Sequence, residues 1–229
     1  MSYPTHVLRL DREPWVKAAN IFIKVALVVC FFVAIVIVPP GAEGKGMEFR
    51  APMFLGSAIF VPIIAKVRNW EPYPHTADAL LALPFLLDTF ANVVGLYEAF
   101  DYTDDVLHLV NWISLVAAFS AFRFRNVFNR RDALFLGYGF GGLMIIWWEA
   151  FEWVISTDGP LGGGGLLELG YTDTVFDLIL SSTGGLIGAF LSIKYLGPTD
   201  DRLKELEADK GTATGVDADN HEPAASIAG

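Results

Sequence analysis

The chain has 229 residues, 53% of them hydrophobic and 14% aromatic, with a formal net charge of −10. Such acidity argues against a nucleic-acid partner, and the one cysteine, Cys30, permits neither an internal disulfide nor a thiolate metal cage. A mean hydropathy of +0.44, with apolar runs of about 20 residues, the length a helix needs to cross a bilayer, excludes an ordinary soluble domain.

The pattern is all-α: a polytopic membrane helical bundle with six transmembrane helices. No alternating ten-residue pattern suggests a membrane barrel. The spans fall at 18–38, 51–67, 79–99, 105–123, 132–155 and 173–195. The first is too long for the apolar core of a signal peptide, and its exit, Pro39-Pro40-Gly41, lacks a small-residue cleavage pattern. Cys30 packs there as a small hydrophobe, and Lys24 can snorkel to the nearer interface. Between spans five and six, residues 159–165 form a glycine-rich connector that lacks the Lys-Ser/Thr of a phosphate loop. Residues 1–198 make the membrane domain. Residues 199–229 carry eight acids against Arg202, Lys204 and Lys210, a composition expected to stay disordered.

Six spans put thirteen Lys and Arg residues on one side and leave Lys45 and Arg50 on the other. The positive-inside rule then places both termini in the cytoplasm and the chain in the cell membrane. Trp15, Trp70, Tyr73 and Tyr195 mark the inner interface. Tyr97, Tyr102, Trp147, Trp148, Trp153 and Tyr171 mark the outer one.

The chemistry is expected at that outer face. Asp104, Asp105 and His108 begin span four, Glu149 and Glu152 end span five, and Asp173 and Asp177 begin span six. Ionisable groups in lipid are costly, so they face a bundle interior or a wet cavity and mark a working site. Helical spacing makes each set converge: Asp104, His108 and Asn111 share a face, as do Glu149 and Glu152. Asp173, Asp177, Ser181, Gly184 and Gly188 form one stripe, whose Gly184-x-x-x-Gly188 pair admits a close neighbouring backbone. In span three, Asp88 near mid-membrane and Asn92 one turn outward extend a polar track inward.

Carboxylates sharing a desolvated pocket cannot all stay ionised without compensation. They bind a cation, keep some protons, or are solvated. With His108 the one basic neighbour in sequence, a cation or a proton relay is expected over static salt bridges. The candidate metal ligands are Asp104, His108, Glu149, Glu152 and Asp177, and the candidate catalytic carboxylates are Glu149, Glu152 and Asp104. Asp88, Asn92, Asp105, Asn111 and Asp173 complete a polar network. Oxygen ligands with one imidazole favour the divalent cations Mg²⁺, Mn²⁺ or Ca²⁺ over Zn²⁺ or Fe, and no organic cofactor is expected.

Several motifs run in a distinctive order: Asp88-x-x-x-Asn92, Gly95-Leu96-Tyr97, Asp104-x-x-x-His108, Glu149-x-x-Glu152-Trp153, and Asp173-Thr174-x-x-Asp177-Leu178 followed by Gly184-x-x-x-Gly188-Ala189. Together they resemble the YjdF-like family of predicted inner-membrane proteins and, more faintly, the VanZ-like family. The resemblance covers residues 75–195. It implies an inner-membrane helical protein and little chemistry. VanZ-like proteins are linked to glycopeptide resistance at the envelope, but this chain has Asp177 where their pattern has an amide and Glu152 where it has Gln.

Three functions compete. The first is an envelope enzyme in which a divalent ion activates water, a carboxylate acts as general base, and a lipid-linked or small-molecule substrate enters from the bilayer. The second is a cation or proton carrier. The third is a structural membrane protein whose acids form a helix-locking network. The sequence leaves the oligomeric state open.

Overall fold

The computed structural model describes residues 8–124, 130–156, 159–161 and 170–196. The expected tail, 199–229, most of the glycine-rich connector and Arg125 of the basic loop lie outside the described residues. Among the described residues the structure is all helical, with six helices long and apolar enough to cross a membrane.

Local chemistry explains where each helix starts and stops. Pro14 opens α1 (Pro14–Phe32), whose last turns widen into a π-helix, Val33–Ile37. Proline suits a first turn because its missing N–H would have no partner there. α2 (Met47–Val67) follows Gly46, which takes a left-handed φ of 63°. α3 (His75–Val94) stops at Gly95, φ 74°, whose N–H reaches back to the carbonyls of Ala91 and Asn92, a common glycine stop. A single turn, α4 (Leu96–Ala99), leads into α5 (Thr103–Phe124). α6 (Arg130–Ile155) and α7 (Tyr171–Tyr195) complete the bundle.

The spans therefore differ from the sequence expectation mainly at their first turns. Helices one to three begin four residues earlier than expected. The third also ends at Val94, five residues short of position 99, because Gly95 breaks it. Hydropathy misses the polar first turns, which are helical but not apolar.

The tightest packing joins α5 to α7. A Cβ on Gly184 would lie 2.3 Å from the Leu109 carbonyl oxygen, and one on Gly188 would lie 2.5 Å from that of Ile113. The expected small-residue face is thus a backbone contact. The Ser114 hydroxyl donates to the Leu80 carbonyl at 2.8 Å, tying α5 to α3. Phe31, Phe54 and Phe85 pack edge to face and join α1, α2 and α3. A second core of Ala77, Ala117, Ala121 and Ala133 lies around the start of α3 and the end of α5. The outer face of α1, with Phe22, Val25, Val29 and Phe32, is exposed and suited to lipid.

One polar cluster was not expected. Asp78, on the first turn of α3, is fully buried and pairs with Lys24 of α1. Asn20 Nδ2 and the Tyr73 hydroxyl also donate to it, at 2.8 and 2.5 Å. Burial and the Asp78 carboxylate push the Tyr73 phenol up, so it stays a donor. Lys24 therefore does not snorkel, and Tyr73 is no belt residue. Both are held by Asp78, whose charge is stranded in the bundle without them.

Gly184→Leu and Gly188→Leu are expected to abolish the folded bundle or lower its thermal midpoint by more than 10 °C, whereas Gly142→Ala, which meets nothing within 4 Å, leaves it unchanged. Circular dichroism melts in detergent check this. Lys24→Met alone should cost about 3 kcal/mol by stranding a buried charge, and adding Asp78→Leu should recover most of the loss. Chemical unfolding of the single and double variants measures both.

Candidate functional site

The expected cluster forms, and it sits at the end of the bundle where α2, α5 and α7 begin and α3 and α6 finish. α5 supplies Asp104 and His108 one turn apart, and Asn111 follows on the same face. Close packing of Gly184 and Gly188 on α5 brings α7 near enough for Asp177 and Ser181 to reach the imidazole. His108 Nε2 lies 3.6 Å from Asp177 Oδ1 and 3.7 Å from Asp104 Oδ1. His108 Nδ1 lies 2.9 Å from the Ser181 hydroxyl and 4.0 Å from Glu149 Oε1.

Two overlapping groups offer ligand atoms within 4.8 Å of one another: Asp104, His108 and Asp177, and His108, Glu149 and Glu152. Asp104 and Asp177 approach Nε2, and Glu149 approaches Nδ1. Ser181 already occupies Nδ1, which leaves Nε2 facing Asp104 and Asp177. An imidazole that ligates through one nitrogen usually has the other fixed by a hydrogen bond, so the first group is the better built.

The second group is drawn elsewhere by Arg50. Its guanidinium, on the first turn of α2, is buried between Asp88 of α3 and Glu152 of α6. Nη1 lies 3.4 Å from Asp88 Oδ2, and Nη2 lies 3.4 Å from Glu152 Oε1. The Tyr97 hydroxyl donates to the other Asp88 oxygen at 2.6 Å. Burial, then the carboxylates of Asp88 and Asp104, push the Tyr97 phenol up, so it remains protonated and donating. The expectation that the acids lack an arginine partner is therefore corrected. Asp88 is also not a free step on an inward track, and the Asn92 amide donates to its own-helix Asp88 carbonyl at 2.9 Å.

Arg50 does not balance the site. Asp88, Glu149, Glu152 and Asp177 are all buried, with one guanidinium and one imidazole among them. Both oxygens of Glu149, a side chain 92% buried by the 8% exposure of its residue, have no hydrogen-bond partner. Asp105 and Asp173 stay exposed, so of the expected network these two remain outside the buried cluster, although Asp173 lines the cavity mouth.

That cavity has a volume of about 920 Å³. Its polar end holds Arg50, Asp88, Tyr97, Asp104, His108 and Glu152, and it continues between α2, α3, α5 and α6 along aromatic and aliphatic walls. Trp148, expected in the interfacial belt, instead lines it and stacks on Phe54 with ring centroids 6.3 Å apart. Trp147, Trp153, Tyr102 and Tyr171 are exposed, as belt residues would be.

The model of a predicted membrane protein family, DUF2238, matches residues 19–197. The chain belongs to that family. The match contains every residue of the polar cluster and all but the first five residues of α1. No curated protein and no solved structure matches the chain.

Sequence reasoning missed Arg50 and Tyr97. The apolar run starts at residue 51, so hydropathy alone leaves Arg50 in a loop. The usable signal was its position as a lone arginine on the acid-rich side. Tyr97 looked interfacial because the chiral break at Gly95, which turns it inward, is a backbone event.

Arg50→Met leaves two buried carboxylates facing each other and is expected to cost about 3–5 kcal/mol. Asp88→Asn and Glu152→Gln, added to it, should restore most of that stability. Unfolding midpoints in detergent check the series, and an Arg50→Met midpoint equal to the parent's would show that these ion pairs contribute nothing.

Proposed function

We propose that this multi-pass membrane protein is a divalent-metal-dependent enzyme of the cell envelope, with its site at the outer leaflet and a lipid-linked or phosphorylated substrate. The observation that carries the reading is the unpartnered, buried Glu149 carboxylate beside an imidazole that already has two other carboxylates on its free nitrogen. A structural network would be expected to satisfy at least one oxygen of such a group, as the Asp78 cluster does with Oδ2 while leaving Oδ1 without a partner. A cation or a reacting proton gives it a role.

Asp104, His108 and Asp177 would hold the ion, with Mg²⁺ or Mn²⁺ suited to a ligand set of two carboxylates and one imidazole. The ion would offset the surplus negative charge and make a bound water acidic enough to react near neutral pH. Ser181 fixes the ring of His108. As general base, Glu149 would act from the Nδ1 side of the ring, 4.0 Å from the imidazole and across it from the ion, so a water would carry the proton between them. Glu152 is given to Arg50 and positions α6 instead of ligating. The YjdF-like motifs all lie within the matched residues and fit this placement.

A second reading is favoured by Arg50: the acids lock α2, α3 and α6 together and do nothing more. The two readings part on metal content. Protein purified without chelator and dialysed against Mn²⁺ is expected to retain one ion per chain by elemental analysis. His108→Ala and Asp177→Asn should lose it at least tenfold, and Glu152→Gln should keep it. A parent protein with no stoichiometric metal after dialysis against Mn²⁺ or Mg²⁺ would sink the enzyme reading and leave the locking network.

A further inference from the structure

The cavity reaches far beyond the polar cluster. On α5 its wall runs from Asp104 to Phe122, about 27 Å at the rise of an α-helix, whereas a sphere of its volume would be only about 12 Å across. It is a long cleft. Past Asn111 the wall is apolar, formed by Leu115 and Phe119 of α5, Phe85 of α3, and Phe140 and Met144 of α6.

The cleft also has an open seam. Met53 and Phe60 of α2, and Met144 and Trp147 of α6, line it while remaining exposed. α2 packs on α3 and α1, and α6 packs on α7 and α5. Between α2 and α6 the bridges are side chains, the Arg50–Glu152 pair and the Phe54–Trp148 stack. Both helices are among the six spans, so in a bilayer the seam faces hydrocarbon. Water along the apolar stem would find few hydrogen-bond partners. A hydrocarbon chain would gain close dispersion contacts with the apolar walls.

We infer that the cleft takes a hydrocarbon chain of a membrane lipid, admitted sideways between α2 and α6, with the lipid's polar group at the Arg50–His108 end. This names the substrate class of the proposed enzyme and rests on that reading for what happens at the polar end. The chain-binding stem stands on the cleft itself. Gly56 gives a handle on the stem alone. It lines the cleft, and a Cβ there would meet nothing within 4 Å. Gly56→Leu should therefore obstruct the stem with no backbone clash and no change to the polar cluster.

The full chain is reconstituted in phosphatidylglycerol vesicles containing a trace of phosphatidylglycerol with a diazirine at the end of one acyl chain. After irradiation, labelled positions are read by mass spectrometry. Leu115 and Phe119 should label at least as strongly as Phe22 and Val25 on the lipid-facing side of α1. Gly56→Leu should lower the α5 labelling at least fivefold and leave the α1 labelling unchanged, and Gly56→Ala should give a smaller loss should the leucine variant fail to fold. His108→Ala should keep the α5 labelling. Its loss of metal would thus be read separately, and a metal-free parent that still labels α5 would overturn the enzyme reading alone. Labelling confined to α1, or α5 labelling that neither Gly56 variant lowers, would overturn the chain-binding proposal.

Discussion

The arginine at position 50 governs the arrangement of this bundle. One guanidinium buried between Asp88 and Glu152 joins three helices that are distant in sequence. An unpaired charge in such surroundings is very costly, so Arg50 must keep at least one of its two carboxylates. The pair also holds α2 against α6 without close backbone packing, and the long cleft lies between them. Arg50 thus sets both the shape of the cavity and the charge at its polar end.

The two ends of the bundle treat acid differently. Asp78 takes Lys24, Asn20 and Tyr73 on one oxygen, and the result is a compact cluster holding α1 to α3. At the other end, four buried acids face one guanidinium and one imidazole. The first cluster has a cation and two further donors on its carboxylate, whereas the second has more buried acids than cations among the described residues.

Small residues decide whether that second cluster assembles. Gly184 and Gly188 let α7 lie against the carbonyls of α5, and this approach brings Asp177 and Ser181 onto opposite nitrogens of His108. Ser181 fixes one side of the ring and leaves the other to the carboxylates. The site therefore depends on backbone proximity more than on the acids themselves.

Composition and hydropathy alone determined the helical membrane class, the number of spans and the end of the bundle where most acids meet, because apolar length and 3.6-residue spacing are local properties. Asp104, His108, Glu149, Glu152 and Asp177 were legible for the same reason, each lying on a face its neighbours define. The partners were not. Arg50 lies 38 residues from Asp88 and 102 from Glu152, Lys24 lies 54 from Asp78, and nothing in the local pattern links them. Tertiary structure alone decided which acids are balanced, which way Tyr97 turns after Gly95, and that an apolar cleft runs below the charges. Pairing and cavity shape are properties of the space between helices, and that space exists only once they pack.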